Sequence, residues 1–157
     1  MEAAKPTIEF ATFEELLEKD GYIVYTNVGC SMMPLLREKR DLMVVQRKTG
    51  KPLQKHDVVL FKRPVRNAPD AYVLHRIEKL NPDGSYWIVG DNSFCGETVR
   101  EKQIIGVLSA VIRDGKTIPV TQLSYRVYVK LWYFLYPARY LLRRAHNLIR
   151  RLQKPGL

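Results

Sequence analysis

The sequence predicts a mainly β protein: an antiparallel, barrel-like β domain with a short N-terminal helix and a basic, amphipathic helical tail. Three observations carry this. Short runs rich in β-branched and aromatic residues recur between Tyr22 and Arg113, turn-forming clusters separate them at regular intervals, and after Val120 the pattern changes to apolar and basic residues at helical spacing. The expected segments are therefore an N-terminal helical piece (1–21), a β domain (22–120) and a helical tail (121–157).

The helix comes first because Thr12 and Glu15 have the spacing of a capping box, and Phe13, Leu16 and Leu17 recur on one face. The spacing predicts a helix over Phe13 to Lys19, ending at Asp20-Gly21. Strands are predicted at Tyr22 to Val28, Leu42 to Gln46, Val58 to Lys62, Tyr72 to Ile77, Tyr86 to Val89 and Ile104 to Arg113. Between them lie the turn clusters Lys48 to Pro52, Arg66 to Asp70, Asn81 to Gly84 and Arg113 to Gly115. From Ser124 to Leu152, Tyr, Leu, Val and Trp alternate with Arg and Lys in a pattern for one or two helices, with Pro137 at a kink or boundary.

Composition narrows the class of function. The chain has 157 residues, 46% of them hydrophobic and 27% charged, which is a globular composition with enough residues for a real core. Its formal charge is +10, and from Ser124 onward there are eight Lys or Arg with no Asp or Glu, so an anionic partner for the tail has to be considered apart from any catalytic site. The residues before Tyr22 hold no continuous apolar run, and the uncharged stretch Leu131 to Ala138 is far short of the roughly 20 residues a membrane helix needs. The chain is accordingly expected in the cytoplasm, with attachment to the inner face of the membrane as the further possibility. Two cysteines, Cys30 and Cys95, lack the paired spacing of a zinc site, and neither a metal nor a cofactor is expected.

The residues suited to chemistry begin with Gly29-Cys30-Ser31-Met32-Met33-Pro34, which follows a predicted strand and places Ser31 in a turn bounded by Gly29 and Pro34. A serine hydroxyl is a weak nucleophile and needs a base from elsewhere in the chain. His75 shares strand parity with Val73 and Ile77, which sets its ring on the apolar face, where an imidazole stays neutral and accepts a proton near pH 7. His56 lies beside a turn and His146 in the basic tail. Read from the residues alone, His75 is either a base or an ordinary packed core histidine.

Four strings in order go further: the block around Ser31, Asp57-Val58-Val59-Leu60-Phe61, Leu74-His75-Arg76-Ile77 and Val89-Gly90-Asp91-Asn92. Together they resemble signal peptidase I and the wider superfamily of LexA-like serine peptidases. The resemblance spans roughly Tyr22 to Arg113 and preserves both order and spacing. A histidine in the base position, within His75-Arg76-Ile77, is similar to the endoplasmic reticulum and archaeal branch of signal peptidases, where bacterial enzymes and LexA-type repressors carry lysine.

The resemblance implies a signal-peptidase-like β fold and a serine endopeptidase that cleaves a peptide or leader-bearing precursor through an acyl-enzyme, with Ser31 as nucleophile and His75 as general base. It places Glu97, six residues after Asp91, where the branch has an aspartate that orients the histidine; Glu97 is either that orienter or a solvated loop carboxylate. Asp91 is implied to be structural, with orientation of His75 as its second reading. The nucleophile's backbone N–H would receive the oxyanion, since Gly29 offers no hydroxyl. Met32, Met33 and Pro34 would wall the substrate groove beside Gly29 and Cys30, the methionines being otherwise plain core residues. Cys30 and Cys95 are expected as small buried hydrophobes bordering the site.

The family's N-terminal membrane anchor has no counterpart in the opening residues, which makes a role in ordinary secretory export doubtful. Residues 124–152 are the expected substitute: Leu131, Trp132, Phe134, Leu135, Tyr140, Leu141 and Leu148 form an apolar face, with Lys130, Arg139, Arg143, Arg144, Arg150 and Arg151 around it, suited either to an anionic membrane surface or to packing on the β domain. Two rival classes remain. One is a self-cleaving regulator like LexA, for which the residues before Tyr22 are too few to supply a DNA-binding domain and a cleavable linker. The other is a catalytically inactive peptidase-like fold that binds anionic lipid or nucleic acid, of which nucleic acid is the less expected.

Overall fold

The computed structural model describes residues 12–26 and 28–152, with side chains described as far as Ala145. It divides into two compact units, Met1–Thr117 and Ile118–Leu157.

The first unit opens with α1 (Phe13–Asp20). Its start is fixed locally, because the Thr12 hydroxyl accepts from the Glu15 N–H at 3.2 Å while the Glu15 carboxylate accepts from the Thr12 N–H at 2.8 Å. Leu17, on its inner face, is 2% exposed and reaches over Gly106 together with Val45, in a space that any side chain at position 106 would fill.

Eight strands follow: β1 (Tyr22–Thr26), β2 (Asp41–Arg47), β3 (Val58–Val65), β4 (Ala68–Leu80), β5 (Tyr86–Val89), β6 (Gly96–Val99), β7 (Ile104–Arg113) and β8 (Lys116–Pro119). They form one antiparallel sheet in the order β1-β2-β7-β3-β4-β5-β6, with β8 paired to β7. The sheet is open, which corrects the barrel-like expectation: among the described residues no pairing joins β1 to β6. Alternation of residue types fixes which face of a strand is buried but not whether the outer strands meet. Register shifts at Val44/Val45, Leu60/Phe61, Arg63/Val65 and Ile77/Lys79 bend the sheet without closing it.

The centre of the sheet is apolar on both faces, since Val58, Val59, Leu60 and Phe61 are all buried in β3. One core cluster gathers Leu53, Val59, Phe61, Ile77, Tyr86, Ile88, Val99 and Ile104. Each such side chain taken wholly out of water contributes about 1.5–3 kcal/mol, which is what holds the bent sheet together.

Two boundaries depart from expectation. The cluster Arg66 to Asp70 is not all turn, because Val65 already pairs with Ala68, so only Arg66 and Asn67 make the connection, Asn67 with φ 61°. Pro64 and Pro69 are accommodated on the two strands because Pro64 falls within the Arg63/Val65 register shift, where ladder hydrogen bonds are already interrupted. β6, β8 and the short 3-10 turn Glu101–Gln103 are additional to the predicted elements. By contrast, Asp114 and Gly115, at φ 49° and 72°, make the two-residue hairpin that their types favour.

The second unit contains α2 (Leu123–Phe134) and α3 (Tyr136–Leu152). The break falls at Leu135, and Pro137 sits in the first turn of α3, where its missing N–H costs no helical hydrogen bond. Arg139 binds the two helices: its guanidinium lies 3.3 Å from the centre of the Trp132 ring and donates to the Trp132 carbonyl at 3.3 Å. Among the described residues no helix is long and apolar enough to cross a membrane.

Candidate active site

Residues 28–40 connect β1 to β2 and carry Ser31, which is half-buried. Tight turns shape this segment: the Met33 N–H donates to the Cys30 carbonyl at 3.1 Å and the Leu36 N–H to the Met32 carbonyl at 2.9 Å. Met32 is fully buried and anchors the turn in the core, whereas Met33 and Pro34, joined by a cis peptide bond, are half-buried beside Ser31. Gly29 is exposed at φ 87°, and its N–H donates to Glu38 at 3.2 Å.

The far end of the connection is pinned by Asp41, 1% exposed at the start of β2. Its carboxylate accepts from Arg40 Nε at 3.0 Å, from Arg113 Nε at 2.7 Å and from the Arg37 N–H at 2.8 Å. Arg113 also donates to the Leu35 carbonyl at 2.7 Å, so β7 holds the turn that carries Ser31 directly. Burial pushes the Asp41 carboxyl up, but the hydrogen bonds from Arg40, Arg113 and Arg37 outweigh it and bring the pKa down to about 2.

His75 stands on β4 opposite Val59, with its side chain 12% exposed and its ring centre 6.3 Å from that of Phe61. Burial drives its pKa below the ordinary histidine value, with Arg63 pushing the same way and Glu97 and Asp91 opposing. The imidazole is consequently neutral near pH 7 and able to take up a proton.

Ser31 and His75 converge on Gly90. A methyl group at position 90 would come within 2.6 Å of the Ser31 carbonyl oxygen and 3.0 Å of His75 Nε2, so both groups approach one point that only a glycine leaves empty. The following residues clip the two loops together: the Asn92 N–H donates to the Ser31 carbonyl at 2.8 Å, and Asn92 Nδ2 donates to the Cys30 carbonyl at 3.2 Å. Among the described hydrogen bonds none joins the Ser31 hydroxyl to the imidazole, a distance that commonly tightens only when substrate binds.

Behind the imidazole, Glu97 on β6 brings one carboxylate oxygen to 3.8 Å from His75 Nδ1. The same carboxylate is gripped by Arg63 of β3 through two hydrogen bonds, Nε to Oε2 at 2.8 Å and Nη2 to Oε1. Asp91 is turned elsewhere. Its two oxygens accept from Arg76 Nε at 2.7 Å and Nη2 at 2.8 Å, and this pair is almost wholly buried, with Arg76 Nη1 also donating to the His56 carbonyl at 2.9 Å. Asp91 therefore ties the Gly90 loop to β4, and Glu97 is the carboxylate beside the imidazole.

Cys30 and Cys95 are both exposed free thiols, contrary to the expectation of buried hydrophobes. Each lies in a loop that packs through its backbone: the Cys30 carbonyl accepts from Met33 and Asn92, and Cys95 is held by Ser93 through both its N–H and its carbonyl. His56 takes a turn position at φ 79°, its N–H donating to the Ile77 carbonyl at 2.8 Å, and the side chain of His146 lies outside the described residues.

Sequence reasoning assigned no role to Arg63, Gly90 or Asn92. Gly90 and Asn92 stand in the box around Asp91 and were within reach of the motif. Arg63 lies beyond the predicted end of its strand and meets Glu97 across two intervening strands, which no local pattern encodes. Among the described residues there is no cluster of His, Cys, Asp and Glu suited to a metal ion. Comparison with protein-family models, with curated proteins and with solved structures finds no match, so the functional reading rests on this geometry and on the resemblance of its motifs.

Proposed function

We propose that the chain is a serine endopeptidase of signal-peptidase-like and LexA-like fold, acting in the cytoplasm on a peptide or leader-bearing precursor. The observation that carries the proposal is the convergence of the Ser31 turn and a desolvated, neutral His75 on the side-chain-free position of Gly90.

In this reading the Ser31 hydroxyl attacks the scissile carbonyl carbon and His75 Nε2 takes its proton. The oxyanion is received by the Ser31 backbone N–H. The imidazolium then protonates the departing amine as the carbon–nitrogen bond breaks, leaving the acyl group on Ser31. Water attacks the ester, its proton passes to Nε2, and the carboxylate product leaves with the serine restored. Glu97 stabilises the transient imidazolium from the Nδ1 side, and Met33 and Pro34 border the groove.

The test compares the wild-type chain with Ser31→Ala and His75→Ala on a peptide library, reading product and acyl-enzyme by mass. Each substitution is expected to lower turnover by about a thousandfold or more. Turnover that survives Ser31→Ala ends this mechanism.

A second reading, an inactive peptidase-like binding module, is favoured by the commitment of Glu97 to Arg63, which leaves its carboxylate at 3.8 Å from Nδ1. Its signature is lipid or nucleic-acid binding by a wild-type chain that never turns over.

A further inference from the structure

We infer that the second unit docks the protein on an anionic lipid surface through an exposed apolar stripe of α2 and the apolar face of α3, whose other side carries arginines. This stands independently of the peptidase reading.

α2 has two unlike sides. Tyr125 and Val129 are buried, while Leu123, Val127, Leu131 and Phe134 follow one another at intervals of four, four and three residues and are 73%, 44%, 54% and 81% exposed. That spacing sets them in one stripe along the helix. Arg126 and Lys130, both exposed, border it on one side. In α3, Leu141 and Leu142 are exposed on a face shared with Ala138 and Ala145, and Arg139, Arg143 and Arg144 occupy the other side of the helix. The sequence continues the same alternation at Leu148, Ile149 and Leu152, whose side chains lie outside the described ones.

Leaving such a stripe in water is unfavourable, so something covers it. Charge selects the occupant: from Ser124 to the end of the sequence there are eight Lys or Arg and no acidic residue, so a second copy of this surface would meet its own charge. Nucleic acid would satisfy the arginines and leave Leu131 and Phe134 wet. An anionic bilayer satisfies both, taking apolar side chains below the headgroups and cations among the phosphates. Tyr128 and Trp132, stacked at 5.8 Å between ring centres and half-buried, lie on the side of α2 shared with Tyr125 and Val129, away from the stripe.

The experiment is flotation of the full chain with phosphatidylcholine vesicles, with and without phosphatidylglycerol, at low and high salt. Binding is expected only with phosphatidylglycerol and weakens with salt. Leu131→Ser with Phe134→Ser, Phe134→Ser alone, and Arg143→Glu with Arg144→Glu change exposed positions, so each should keep the wild-type circular dichroism. Each double variant is expected to lower vesicle partitioning by about tenfold or more. Equal binding to neutral vesicles overturns the proposal, as does full binding by the Leu131→Ser, Phe134→Ser chain. A wild type that ignores vesicles overturns it too, whether the chain then proves to be a dimer dissociated by Phe134→Ser or binds nucleic acid alone.

Discussion

His75 lies between opposing charges, and they give it a pH signature. Burial lowers its pKa, Arg63 lowers it further, and Glu97 raises it. In the proposed reaction the neutral ring is the base, so kcat/KM rises as pH climbs through a folded pKa below the ordinary histidine value of 6.5 and levels off above it. Glu97→Gln removes a raising influence and should move this acid limb to lower pH while cutting the plateau about tenfold. Arg63→Gln removes a lowering influence and should move the limb to higher pH. Initial rates across the pH range check this, and shifts in the same direction for both variants would refute the electrostatic assignment. Ser31 and His75 were legible from sequence because each belongs to a short string with a chemical reason. The Arg63–Glu97 grip was not, because its partners are 34 residues apart and meet only through the bend of the sheet.

Among the elements, the connection between β1 and β2 depends most on electrostatics. Asp41 collects Arg40, Arg113 and the Arg37 N–H, and its depressed pKa means that this anchorage is present above the unfolded value of 3.8 and is lost as pH falls toward about 2. Asp41→Asn should therefore destabilise the protein by about 2 kcal/mol at neutral pH, and the deficit should shrink in acid below about pH 4. Urea unfolding of both chains at several pH values measures this; a deficit independent of pH would assign the loss to packing instead. Local signals did specify elements where the residues act on their own backbone, as Thr12 and Glu15 do at the start of α1 and Asp114-Gly115 do at the last hairpin. β6 was illegible because Gly96-Glu97-Thr98-Val99 is short and partly charged, and it becomes a strand by pairing with β5.

The whole molecule separates its proposed tasks. Every residue of the candidate active site lies in the unit Met1–Thr117, whereas the apolar stripe and the acid-free run of basic residues lie in Ile118–Leu157. If both proposals hold, Phe134→Ser with Arg143→Glu should leave cleavage of a free peptide within about twofold of wild type. Cleavage of the same peptide tethered to anionic vesicles should fall about tenfold, since the docking affinity sets its local concentration. Parallel rates on the two substrates check this, and an equal fall on both would place the tail in the catalytic step. Composition changes pattern after Val120, close to the division after Thr117. It could not show that the sheet stays open, since alternation along strands reads the same in open and closed sheets.

The buried pair of Arg76 and Asp91 has one more consequence. Arg76 neighbours His75 along β4, and Asp91 lies between Gly90 and Asn92, whose N–H holds the Ser31 carbonyl. Strand, loop and Ser31 turn are thus riveted in series, so loss of either partner of the buried pair would uncouple the Ser31 turn from the strand that carries His75.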